Sequence, residues 1–147
     1  MRSAAQHLTR SSLGAVLLGL ALLLTSAIAH ADPCEGALPR RAGEVFAGQV
    51  RYVGDGDSLC VGADADPRRW IEVRLADFNA PELATPEGPR SKAMLEELAL
   101  GRVARCEARR GRSGRVRSYD RVIAICRIEG RSVGDLLRAA GAPAGGN

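Results

Sequence analysis

Apolar and polar residues alternate with a period of two in several short runs of this chain, and those runs predict strands. Ile71, Val73 and Leu75 alternate with Trp70, Glu72 and Arg74. Val103 to Ala108 and Val122 to Ile128 read the same way, and Glu44 to Val53 more loosely. Another strand follows the turn Asp55-Gly56-Asp57-Ser58 and runs through Leu59, Cys60 and Val61. Asp-Gly is a strong hairpin signal there. Gly62 to Arg69, with Pro67, is a turn. The run from Trp70 gives way to Ala80-Pro81, because proline holds the residue before it extended and removes a donor. Pro89 to Leu100 predicts a helix, with proline in the first turn, an apolar stripe of Met94, Leu95 and Leu98, and Gly101 as the stop. Ser132 to Ala140 predicts a second helix, with Ser132 as N-cap, Asp135 as capping-box partner and Gly141 at the end. No internal repeat is present. Strands and helices in this order predict an all-β or α+β chain: a five-stranded OB-fold barrel with one helix between strands three and four and one after strand five.

The two ends of the chain follow other patterns. Arg2 and Arg10 precede an apolar run from Leu13 to Ile28, and Ala29-His30-Ala31 gives an A-x-A site. This predicts a secretory signal peptide over residues 1–31, cleaved before Asp32. Residues 32–43 read as an extended lead-in, 44–142 as the folded domain and 143–147 as a disordered tail. Removing residues 1–31 lowers the formal charge from +4 to +2 and removes both histidines, His7 and His30. The mature chain then excludes Ser-His-Asp and Cys-His catalysis, a histidine base and histidine-ligated metal. Four cysteines remain, with no C-x-x-C spacing, so an exported chain reads as having two disulfides. Cys106 and Cys126 lie in two strand-like runs flanking one excursion. Pairing them leaves Cys34 with Cys60. The expected location is secreted or periplasmic, and the expected state is a monomer.

Candidate chemistry gathers where the third strand ends. Arg74 offers a planar fork to phosphate oxygens, and Glu82, on the stiff turn after Pro81, can orient or deprotonate a water. The Asp55-Gly56-Asp57-Ser58 turn offers oxygens to a hard cation but lacks the later ligands of an EF-hand. The basic loop from Arg109 to Arg117 can track a phosphate backbone, with Arg115 and Arg117 as contacts and Tyr119 able to stack on a base. Arg121 is a second phosphate fork. Gly130-Arg131-Ser132-Val133-Gly134 matches a nucleophile-elbow pattern. Without a histidine in the mature chain, capping is the sufficient reading of Ser132.

Taken in order, Asp55-Gly56-Asp57-Ser58, Val73-Arg74-Leu75, Ala80-Pro81-Glu82, Gly88-Pro89 at a helix start, Ser118-Tyr119-Asp120-Arg121, Gly130-x-Ser132-Val133 and Leu137-x-x-x-Gly141 resemble a staphylococcal nuclease-like (thermonuclease) domain. The resemblance covers Glu44 to Ala142. It implies an OB-fold barrel and Ca²⁺-dependent hydrolysis of phosphodiesters in DNA and/or RNA. It also implies Asp57 as a calcium ligand, Arg74 and Arg121 on the scissile phosphate, and Glu82 as general base. The chain departs from the pattern at Asn79, expected as a neutral calcium ligand where the family carries the second calcium carboxylate, and at Asp120, where the family carries glycine. Two other readings fit the same residues: a non-catalytic nucleic-acid-binding barrel with a weakened metal site, and an envelope structural or interaction domain.

Overall fold

The computed structural model describes residues 32–145, so the expected signal peptide and the last two residues lie outside the described residues. The strands are β1 (Val45–Asp55), β2 (Ser58–Gly62), β3 (Ile71–Leu75), β4 (Val103–Ala108), β5 (Arg117–Ser118), β6 (Arg121–Ile128) and β7 (Arg131–Ser132). Two helices, α1 (Gly88–Ala99) and α2 (Val133–Ala139), complete the order, and a short 3-10 turn spans Pro67–Arg69. Five strands pair in the order β3-β2-β1-β4-β6. A parallel ladder between β3 and β6, with Val73 opposite Val122, joins the two ends. The result is the expected closed five-stranded barrel with two helices. β5 and β7 are two-residue additions to β6.

Alternation decides the faces. Along β6 every second residue is buried, and Val122, Ala124, Cys126 and Ile128 enter the core. β1 is long enough to serve both β2 and β4, and register shifts at Val50/Tyr52 and Val53/Asp55 let it bend between them. α1 buries Leu95 and Ala99, and α2 buries Val133 and Leu137. The helices pack on each other, α1 also on β1 and α2 on β6. Both disulfides pair as the sequence suggests. Cys106 and Cys126 are register partners on β4 and β6, facing each other inside the barrel.

Three segments differ from the sequence reading. The basic stretch from Arg109 to Arg117, which reads as an open loop, is a hydrogen-bonded hairpin laid against β6. Arg109 N–H donates to the Ile123 carbonyl at 2.7 Å, Ile123 N–H to Val116 at 2.8 Å and Gly111 N–H to Arg115 at 2.8 Å. The tail expected to be disordered is bonded as far as it is described. Gly145 N–H donates to the Asn79 carbonyl at 2.7 Å, and Ser91 Oγ donates to the Pro143 carbonyl at 3.3 Å. Glu72, on the polar side of the β3 alternation, is buried at 7% exposure. Its register partner on β2 is Cys60, whose disulfide to Cys34 pins the lead-in beside it.

Candidate functional site

Arg74 organises the turn that leaves β3. Its Nη1 donates to the carbonyls of Leu75 at 2.6 Å and Phe78 at 2.8 Å. Its Nη2 donates to Asn79 Oδ1, and its Nε stands 3.1 Å from Asp57 Oδ1. Asp57 in turn accepts the Ala80 N–H through Oδ2 at 2.5 Å. Arg74 and Asp57 together fix the path from Leu75 to Ala80, and so the start of the Pro81-Glu82 turn. Among the described residues, three hydrogen bonds and the Asp57 ion pair leave the guanidinium one N–H without a partner. Burial pushes the Asp57 carboxyl from its ordinary 3.8 up to about 6, against the Ala80 N–H and the Arg74 charge, which pull it down.

Two cavities flank this clamp. One, of about 600 Å³, is lined by Arg74, Asp77, Asn79, Arg112, Ser113, Ser118, Ile123 and Arg138, among others. Three guanidinium groups and two hydroxyls against a single carboxylate suit a phosphate. The other, of about 520 Å³, is lined by Asn79, Pro81, Glu82, Thr85 and Glu87. Asn79, Ala144 and Gly145 border both. The Asn79 amide works at both ends: Oδ1 accepts from Arg74, and Nδ2 donates to the Gly145 carbonyl at 3.1 Å. A carboxylate has no hydrogen to give Gly145.

The candidate residues do not all converge. Arg74, Asp57, Asn79 and Glu82 share the clamp and its turn. Arg121 lies outside the lining of both cavities. Its Nη1 is 4.0 Å from Asp55 Oδ2 and its Nε 3.9 Å from Glu72 Oε1. Arg117 is turned to the lead-in, donating from Nε to the Pro39 carbonyl at 2.9 Å and from Nη2 to that of Leu38. Arg115 is exposed and lines neither cavity. Tyr119 is 94% exposed, on backbone with φ of 56°. The sequence reading missed Arg112, Ser113, Ser118 and Arg138. Arg112 belongs to the basic loop, but Arg138 sits on a helix whose visible signals were its caps.

Asp77 anchors α2. Ser132 Oγ accepts the Asp135 N–H at 2.9 Å, as a cap should, and also donates to Asp77 Oδ2 at 2.5 Å. The reciprocal half of the capping box is absent, because the Asp135 carboxylate accepts from Arg138 instead, at 2.6 Å. Gly134 is required here, since a Cβ would stand 2.7 Å from the Asp77 carboxyl carbon.

Asp57 and Asn79 do not fit a resident calcium ion. Ca²⁺ takes about 6–8 oxygens. Here both Asp57 oxygens and Asn79 Oδ1 already face donors, and the pair's single negative charge is matched by Arg74. Among the described residues, neither group of carboxylates or thiols close enough to share a metal includes Asp57. One of those groups contains Cys34 and Cys60, which are joined in a disulfide. The other is Asp32, Glu72 and Asp120. Burial, then the charges of Asp32 and Asp120, push Glu72 from 4.5 up to about 8, while Arg121 pulls it down.

No protein-family profile matches the chain, and no curated protein matches it either. Among the described residues, no helix is long and apolar enough to cross a membrane.

Proposed function

We propose that the barrel is a phosphodiester hydrolase acting on a nucleic-acid strand, as its resemblance to staphylococcal nuclease-like domains implies. The supporting observation is the position of the Asn79–Glu82 turn. The clamp of Arg74 and Asp57 holds its start between a cavity lined by three arginines and a cavity containing Glu82. In this reading the phosphates enter the basic cavity, where Arg112, Arg138 and the free N–H of Arg74 neutralise them and Ser113 and Ser118 add hydroxyl donors. Glu82 is exposed and its carboxylate makes no hydrogen bond among the described residues, so it is free to take a proton from a water at the seam. Arg121 turns from its carboxylates to the developing charge once a strand is bound.

A second reading, a nucleic-acid-binding barrel without cleavage, is favoured by one observation: most of Arg74's donors serve the protein itself. One experiment separates the two. The oxidised protein is incubated with end-labelled single-stranded DNA and RNA, with and without Ca²⁺, and both cleavage and mobility are followed across salt concentrations. Cleavage that Glu82→Gln abolishes supports the hydrolase. A salt-dependent mobility shift without cleavage replaces it with the binding barrel. Neither outcome leaves the interaction-domain reading.

A further inference from the structure

Among the described residues, one group of three carboxylates includes none of the clamp residues. Asp32 of the lead-in, Glu72 of β3 and Asp120 of the turn before β6 each bring a carboxylate oxygen within 4.8 Å of the other two. Three parts of the chain that are distant in sequence supply them. The lead-in is held there by the Cys34–Cys60 disulfide and by Gly36 N–H donating to the Trp70 carbonyl at 2.8 Å.

Acidic side chains commonly meet at a surface without binding anything, and Glu72 separates this group from such cases. Its side chain is 9% exposed. Among the described residues its closest partner is the Asp32 carboxyl, which shares its proton, and the nearest positive charge is Arg121 Nε at 3.9 Å, beyond hydrogen-bond reach. Arg121 is divided as well, because Asp55 claims its Nη1 at 4.0 Å. One guanidinium therefore stands against four carboxylates, one of them buried and aimed at two others. A buried carboxyl in this state either keeps a proton beside its neighbours or gives it up to a cation that it can touch.

We propose that Asp32, Glu72 and Asp120 form a site for a hard divalent cation, Ca²⁺ by preference. The donors are all oxygens, and the two nearby sulfurs are closed in a disulfide, which disfavours zinc and copper. Asp120 is exposed and Asp32 half-buried, leaving room for waters to complete the coordination shell. Occupancy gives Glu72 a direct partner and releases Arg121 from it. The site does not depend on the phosphodiester reading.

The test is calorimetric titration of the chelator-treated protein with CaCl₂ and with MgCl₂, without nucleic acid, alongside melting curves. We expect Ca²⁺ binding with a dissociation constant of about 10⁻⁴–10⁻³ M, the range of extracellular modules, and a rise in melting temperature that saturates over the same concentrations. Glu72→Gln and Asp120→Asn each weaken binding by at least about tenfold, in step with the lost ligand charge. Asp57→Asn leaves it unchanged. Circular dichroism shows that the variants are folded. The inference is overturned if about 10 mM Ca²⁺ produces neither heat nor a melting shift in the wild-type protein, well above the range of such sites. It is also overturned if binding survives in both Glu72→Gln and Asp120→Asn, or is lost in Asp57→Asn.

Discussion

Ser132→Ala tests how the second helix is fastened to the barrel. The hydroxyl does two things: it accepts the Asp135 N–H at 2.9 Å and donates to Asp77 Oδ2 at 2.5 Å. Among the described residues Asp77 Oδ1 is already buried without a partner, so the substitution leaves neither carboxylate oxygen with a side-chain donor there. Loss of a serine cap costs about 1 kcal/mol. A hydrogen bond to a charged group contributes about 2 kcal/mol. The expected destabilisation is about 3 kcal/mol, which in a domain of this size lowers the melting temperature by about 12 °C. Equilibrium urea unfolding measures it, with an unchanged slope showing that the unfolded state is the same. In a double-mutant cycle, Asp77→Ala costs less by about 1–2 kcal/mol when Ser132 is already alanine, because both changes remove one bond. Cleavage under native conditions changes little, since Ser132 is a fastener and not a nucleophile. A destabilisation below about 0.5 kcal/mol, the usual scale for an inconsequential surface change, refutes the fastening argument. Full stability with lost cleavage refutes the structural role and returns Ser132 to the chemistry.

Glu82→Gln and Arg121→Ala each lower the cleavage rate by at least about a hundredfold while the melting temperature holds, the scale of a lost general base or charge clamp; an unchanged rate in either variant removes that residue from the site. Peptide mapping without reduction finds Cys106 joined to Cys126 and Cys34 to Cys60. Removing the Cys106–Cys126 bridge destabilises the domain by about 2–5 kcal/mol. In chelator, stability falls as pH rises from about 4.5 towards 8, because the native state holds the Glu72 proton more tightly than the unfolded chain does, and this contribution is lost as pH passes the native value of about 8. Glu72→Gln flattens that fall in melting curves taken from pH 5 to pH 9, a range about the two Glu72 values.

The barrel was legible because its strands announce themselves by alternation and its helices by Pro89, Ser132 and the glycines after them. The disulfide pairing was legible for a related reason, since Cys106 and Cys126 sit on strands that adjacent pairing brings together. The local sequence does not show what covers a face. Glu72 reads as a polar-side residue of β3, and nothing in the local sequence shows that Asp32 of the lead-in comes to lie beside it. The tail reads as disorder from its glycine, alanine and proline, because a backbone bond such as Gly145 to Asn79 leaves no trace in composition. Arg117 reads as one more loop cation, whereas its donors serve the carbonyls of Leu38 and Pro39. Asn79 shows only that a charge is missing. Its two-ended bond, to Arg74 and to Gly145, is a property of the folded state.

The parallel ladder between β3 and β6 also governs when this molecule can become complete. β3 comes before α1 and β4 in the chain, and the strand that seals it is synthesised only after them. Until Arg121 to Ile128 arrive, β3 and β4 each keep an open hydrogen-bonding edge, and an open edge recruits whatever strand comes within reach. A growing chain, or one cut before Ile128, is a pair of adhesive borders and not a smaller barrel. The hazard ends once one eight-residue strand, β6, slides between them and satisfies both at once.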